Sequence, residues 1–173
     1  DGDVPNTMVS KLAGGTITVD GDISEWENIG SEIAMDGASL TTGDEILHDA
    51  YKDVFDVLMC KIAWTDEGIY FAFNIYDNKL DFKTIANFWE GDCAEFFLST
   101  VTDMPNADFQ LFKNDGDVLQ MSVVPSWNPC YTVAESRTNA AIAAGRAHIS
   151  AAAALRSDGY SGEVFLPFSL FQT

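Results

Sequence analysis

The stretch "VLMCKIAWTDEGIYFAFNIYD", residues 57 to 77, restricts the fold more than any other part of the chain. In its second half Ile69, Phe71, Phe73 and Ile75 alternate with Tyr70, Ala72, Asn74 and Tyr76. A period of two puts the first set on one face of a strand and the second set on the other, whereas a helix would scatter both around its axis. Asp66-Glu67-Gly68 separates two strand-like runs with turn chemistry, so the segment predicts a β-hairpin with one face in a core.

The same punctuation recurs. Asn114-Asp115-Gly116-Asp117 divides "DFQLFKNDGDVLQMSVV" into two alternating runs, and Asp158-Gly159 divides "AHISAAAALRSDGYSGEVFLPF". In "TITVDGDISEWENI" a short strand leads into Asp20-Gly21-Asp22, after which one helical turn with Ser24 as its cap is expected. Residues 140 to 155 have the highest helix propensity in the chain. Their second half still reads as a strand, because a turn and an extended run ending at Pro167 follow at once. Residues 36 to 53 are polar and read as a long surface excursion. Short strands between regular turn signals predict an all-β, antiparallel β-sandwich of jelly-roll type. Residues 1–15 are assigned to a flexible N-terminal arm and 16–173 to one sandwich domain.

Composition narrows the partners. Nine basic residues stand against 27 acidic ones, a net charge of −18, so the summed field repels nucleic acid and anionic membranes. No run is long and apolar enough for membrane insertion, and "DGDVPNTM" has neither the basic start nor the apolar stretch of a signal peptide. Cys60, Cys93 and Cys130 show no zinc or haem-attachment spacing. One disulfide with a spare thiol and three buried thiols are both open readings.

No nucleophile elbow or phosphate loop is present, and His48 and His148 lie in different segments. The expectation is a protein that is not an enzyme. "NFWEGDCAEFFLST" points instead to binding. Trp89 stands among turn formers, and in the strand that follows Ala94, Phe96 and Leu98 share one face while Glu95 and Phe97 share the other. An exposed indole beside a carboxylate can cover the C–H face of a sugar and accept its hydroxyls. Spacing alone equally allows Trp89 to cap the core edge and Glu95 to be merely solvated.

"ITVDGDISEW", "IAWTDEGIYFAFNIYDN", "FWEGDCAEFFLS" and "DGYSGEVFLPFSLF" occur in the order of family 9 carbohydrate-binding modules and the wider DOMON-like sandwich domains, and the chain resembles them over about residues 16 to 171. The resemblance implies a secreted, extracellular or cell-surface module within a multidomain parent, structural calcium in its loops, and a poly- or oligosaccharide as partner. It implies carbohydrate-binding roles for Trp89 and Glu95, places Gln110 where the family has an arginine, and leaves Trp127 as the stand-in for a second clamping tryptophan. Phe112 departs from an expected asparagine. The family's second tryptophan belongs to a C-terminal segment beyond Thr173, so the domain reads as incomplete at that end, with an open sheet edge. Asp20, Asp22 and Asp77, in loops beside strand ends, are the expected calcium ligands. Two alternatives accompany this reading. One is a structural surface or filament subunit that self-assembles through open sheet edges. The other, following haem-binding relatives, is a haem b electron-transfer domain using Met59, Met121 or His148.

Overall fold

The computed structural model describes residues 9, 11–12, 17–33, 55–99, 118–134 and 140–171. Within them eight strands form two antiparallel sheets: β1 (Ser31–Glu32), β2 (Phe55–Trp64), β3 (Gly68–Asp77), β4 (Ala94–Ser99), β5 (Val118–Val123), β6 (Tyr131–Val133), β7 (Ser150–Arg156) and β8 (Gly159–Pro167). One sheet has the order β1-β2-β3-β8-β7 and the other β4-β5-β6. The architecture is the expected β-sandwich.

The predicted faces hold. Phe71, Phe73 and Ile75 of β3 join Tyr160, Val164 and Leu166 of β8 and Leu119, Met121 and Val123 of β5 in one buried cluster between the sheets. Phe96 of β4 reaches across to Phe71 at 5.0 Å and Phe73 at 5.9 Å between ring centroids, and Tyr160 packs edge-on against Phe73 and Phe82 at 6.1 Å each. Each such pair adds about 0.5–1.5 kcal/mol beyond the area it buries. In β2 the register slips between Val57 and Met59, which throws Leu58 out to solvent while Val57 and Cys60 keep their places opposite Ile75 and Phe73.

The Ala-rich stretch divides as expected, into helix α1 (Ala140–Ala144), a 3₁₀ turn (Arg146–His148) and β7. The hairpin from β7 to β8 turns at Gly159, whose φ of +145° and whose approach to the Ile75 carbonyl leave no room for a side chain. Since β8 pairs with β3 on one side and β7 on the other, the last strand is not a sheet edge. The 36–53 excursion and the 114–117 turn lie outside the described residues.

A second, smaller core sits on the outer face of the five-stranded sheet. There Trp26 is fully buried against Ala63, Ala72 and Ile17, with Leu12, Met59 and Tyr70 packed around it. Part of the segment assigned to a flexible arm belongs to this layer. The Leu12 N–H donates to the Trp64 carbonyl at 3.0 Å, the Trp64 indole donates to the Val9 carbonyl at 3.0 Å, and Lys11 pairs with Asp66. Val9, Lys11 and Leu12 are thus held against the outer layer.

Candidate functional site

The loop between β3 and β4 carries Trp89, and its chemistry explains its shape. Asp81 and Asp92 close its base, because the Asp92 N–H donates to the Asp81 carbonyl at 3.0 Å and the Asp81 N–H donates to the Asp92 carboxylate. Gly91 beside them has no alternative, since a Cβ there would lie 2.2 Å from the Asp81 carbonyl oxygen. Inside the loop the Thr84 hydroxyl donates to Asn87 Oδ1 at 3.0 Å, and Asn87 Nδ2 donates to Glu90 at 3.0 Å. These bonds brace the single 3₁₀ turn Phe88–Glu90. Trp89 projects from that turn 62% exposed.

Trp127 belongs to the same end of the molecule, in the loop after β5. Its indole N–H donates to the Lys83 carbonyl at 3.1 Å, tying its loop to that of Trp89. Phe88 stands between the two indoles, its ring edge-on to Trp89 at 5.3 Å and to Trp127 at 6.0 Å. Two tryptophans separated by 38 positions in sequence thus flank one phenyl ring.

Glu95 is the second residue of β4 and faces away from the core, as its alternation predicts. Its Oε1 accepts from the Ser122 hydroxyl at 3.1 Å and from Gln120 Nε2 at 3.4 Å. Both donors engage one oxygen, and a carboxylate has a second with lone pairs of its own. Gln120 and Ser122 were missed in the sequence. They stand opposite Phe97 and Glu95 across the strand pair and are 6% and 1% exposed. The signal was the alternation of "VLQMSV", which puts Gln120 and Ser122 together on the face opposite Leu119, Met121 and Val123. Gln110 and Phe112 lie outside the described residues.

The electrostatics beneath the loop are acidic. Burial, with the nearby charges of Asp77 and Asp81, holds the Asp92 carboxyl above its ordinary value. Burial, then Glu95 and Asp92, pushes the Cys93 thiol up to about 11. Tyr160 is raised as well, chiefly by burial. Cys60, Cys93 and Cys130 are all free thiols.

Two of the expected calcium ligands bond to their own loop backbone. Asp20 Oδ1 accepts from the Asp22 N–H at 2.9 Å, and Asp22 Oδ1 accepts from the Ser24 N–H at 3.0 Å, capping the 3₁₀ helix Ile23–Asn28. Asp22 is therefore the cap that the sequence assigned to Ser24. Both lie over the outer face, where the Asp20 N–H donates to Glu163 at 3.2 Å, and Glu163 pairs across the strands with Ala72. Asp77 ends β3, five residues beyond Ala72, and shares the inward face with Phe73 and Ile75. Its Oδ1 accepts from the Lys79 N–H at 2.7 Å. Among the described residues no group of three or more His, Cys, Asp or Glu is placed to hold a metal. Of the candidate haem ligands, Met59 packs in the outer layer, Met121 is fully buried between the sheets and His148 is exposed.

The residue that holds the outer layer in place is Glu163, also missed in the sequence. It is 0% exposed. Its Oε1 accepts from the Trp26 indole at 2.7 Å and its Oε2 from the Gly21 N–H at 2.9 Å and the Asp20 N–H. Burial raises its pKa above the ordinary 4.5, against the pull of those donors.

No sequence family and no curated protein matches the chain. Solved structures do. A family 9 carbohydrate-binding module from Caldicellulosiruptor kristjanssonii in complex with glucose aligns with a TM-score of 0.58 and 18% identity, over 90% of this chain and 66% of that one. A family 9 module from the same organism in complex with cellotriose aligns with a TM-score of 0.52 and 15% identity, over 88% and 64%. The chain spans about two thirds of the length of these neighbours and shares their fold.

Proposed function

We propose that this chain is a non-catalytic carbohydrate-binding module that grips a neutral glycan at Trp89 and Glu95, with Trp127 on the same rim. The observation that carries the reading is the exposure of Trp89, a large ring held out to solvent by a loop that spends several hydrogen bonds on keeping it there. A ring with only a packing role would be turned inward. Glu95, oriented by Ser122 and Gln120, supplies a fixed acceptor for sugar hydroxyls. The net charge of −18 disfavours anionic ligands and leaves a neutral polyhydroxyl as the fitting chemistry. The fold neighbours are modules captured with glucose and with cellotriose, which makes β-linked glucose the first ligand to try. An extracellular setting belongs to the same proposal. Among the described residues no helix is long and apolar enough to cross a membrane.

Titration with glucose and cellotriose tests this through intrinsic tryptophan fluorescence. A saturable change is expected in the parent chain, and Trp89→Ala abolishes it while the protein stays folded. Equal changes in parent and variant would move the site away from Trp89. No change with any neutral glycan would end the proposal.

A further inference from the structure

Where β2 and β3 face β4, the two sheets leave a cavity of about 160 Å³. Sheets stacked face to face stand about 10 Å apart, and side chains normally fill that gap to the density of an organic crystal. Here small side chains meet. The bulge in β2 sends Leu58 outward and leaves Val57 and Cys60 lining the gap, while Cys93 and Ala94 line it from the β4 side. Rings of Phe55, Phe73, Phe96 and Tyr160 complete the wall. Phe73, Ile75 and Tyr160 are its buried floor, and the half-buried Phe55, Val57 and Ala94 mark the side that opens. One polar group on the floor lacks a partner. Tyr160 is 2% exposed, its ring is fixed edge-on against Phe73 and Phe82, and among the described residues its hydroxyl makes no hydrogen bond. A buried hydroxyl left so is costly until something accepts from it.

Water is a poor occupant, because an ordered water needs two to four polar partners and this lining offers one hydroxyl and two weakly bonding thiols. Size and chemistry suit an organic molecule better. An apolar cavity of about 150 Å³ admits benzene. Aromatic walls favour a ring that can pack edge-to-face or offset against them, and Glu95 at the mouth repels an anion, while an apolar lining disfavours any full charge. From these observations we propose a second binding site, in the cavity between the sheets, for a small uncharged aromatic molecule with one acceptor oxygen. Its ring packs among the phenyl groups, and its oxygen accepts from the Tyr160 hydroxyl. The site lies under Trp89's loop rather than on the indole, shares only Glu95 with the sugar site, and does not depend on sugar recognition.

Acetophenone and isopropylbenzene are the probes, since they match in shape and differ by one carbonyl oxygen. Cys60 and Cys93 line the cavity and Cys130 does not, so the three thiols report occupancy with a built-in reference. Acetophenone at saturation is expected to suppress alkylation of Cys60 and Cys93 in the parent chain, read by peptide mass spectrometry, and to leave Cys130 unchanged. Ala94→Leu fills the space and should abolish protection by both probes. Tyr160→Phe keeps the ring and should weaken acetophenone by about fivefold relative to isopropylbenzene, the worth of one hydrogen bond. Thiols that stay unprotected, or equal protection of all three, would overturn the site. Protection that survives Ala94→Leu would overturn it too, by placing the probe elsewhere. A probe ratio unmoved by Tyr160→Phe would overturn the role of the hydroxyl. Should Ala94→Leu fail to fold, the pattern of protection in the parent chain still decides.

Discussion

Replacing Glu163 by glutamine tests the second core in a way that packing alone cannot explain. The carboxylate takes three donors, the Trp26 indole on Oε1 and the Gly21 and Asp20 N–H groups on Oε2, with no exposure to water. Glutamine has the same shape but only one acceptor oxygen. Turned toward the two backbone donors, it points its own NH₂ at the indole N–H. Turned the other way, it strands both backbone groups. The cheaper arrangement leaves one buried donor unsatisfied, a cost of about 1–3 kcal/mol. Trp26→Phe removes that donor, so in the double variant the penalty for glutamine largely disappears. The two single changes should therefore be non-additive by about 1 kcal/mol or more in urea unfolding, with the slope unchanged. The effect also has a pH signature. A carboxyl whose folded-state pKa is raised costs stability while ionised. That cost is full above the folded pKa, falls as pH drops through it and is gone below the ordinary 4.5. Relative to Glu163→Gln, the parent chain should thus gain stability as the medium is acidified toward that value. Coupling below about 0.5 kcal/mol would refute the hydrogen-bond assignment, and a gap independent of pH would refute the upward pull of burial on Glu163.

Three further outcomes follow from the same geometry. Gly91→Ala forces a Cβ to within 2.2 Å of the Asp81 carbonyl oxygen, so it should destabilise the fold by about 1–3 kcal/mol in urea unfolding and abolish the sugar-induced fluorescence change. Cys93, pushed up to about 11, should alkylate slowly at neutral pH in the native chain, with an inflection in the rate well above its ordinary 9.0; rapid native-state labelling at pH 7 would contradict its burial. Asp20, Asp22 and Asp77 each engage a backbone donor with one carboxylate oxygen and keep a second, so if these loops hold calcium a chelator should lower the thermal midpoint by several degrees; identical melts with and without it would remove the ion.

What could be read in the sequence was whatever depends on neighbours in the chain. Alternation over Ile69 to Ile75 and over Ala94 to Leu98 assigned faces correctly, because the period of a strand is a local property. Asp158-Gly159 marked a hairpin for the same reason, and it outweighed the helix propensity of the alanines before it. The strand order was not legible, nor was the partnership of Trp26 with Glu163, 137 positions apart. Nothing in an alternating strand distinguishes Glu163 from a solvated acid, and only the layer laid over it makes it a buried acceptor. Asp20 and Asp22 show the converse ambiguity. In a turn-rich loop, carboxylates that cap their own backbone look the same as carboxylates that wait for a cation. At the candidate site, Trp89 and Glu95 were found because turn residues and alternation flagged them. Gln120 and Ser122 were passed over because their strand was read only as half of a hairpin.

The most direct measurement of sugar recognition at Trp89 is the NMR spectrum of the four tryptophan indole N–H groups during titration with cellotriose. The indoles of Trp26 and Trp64 are bound to Glu163 and to the Val9 carbonyl within the outer layer, and that of Trp127 to Lys83, while the Trp89 ring stands in solvent. The expected result is a saturable shift that is largest for Trp89, smaller for Trp127, and absent for Trp26 and Trp64. Four stationary signals, or a shift confined to Trp26 and Trp64, would contradict it.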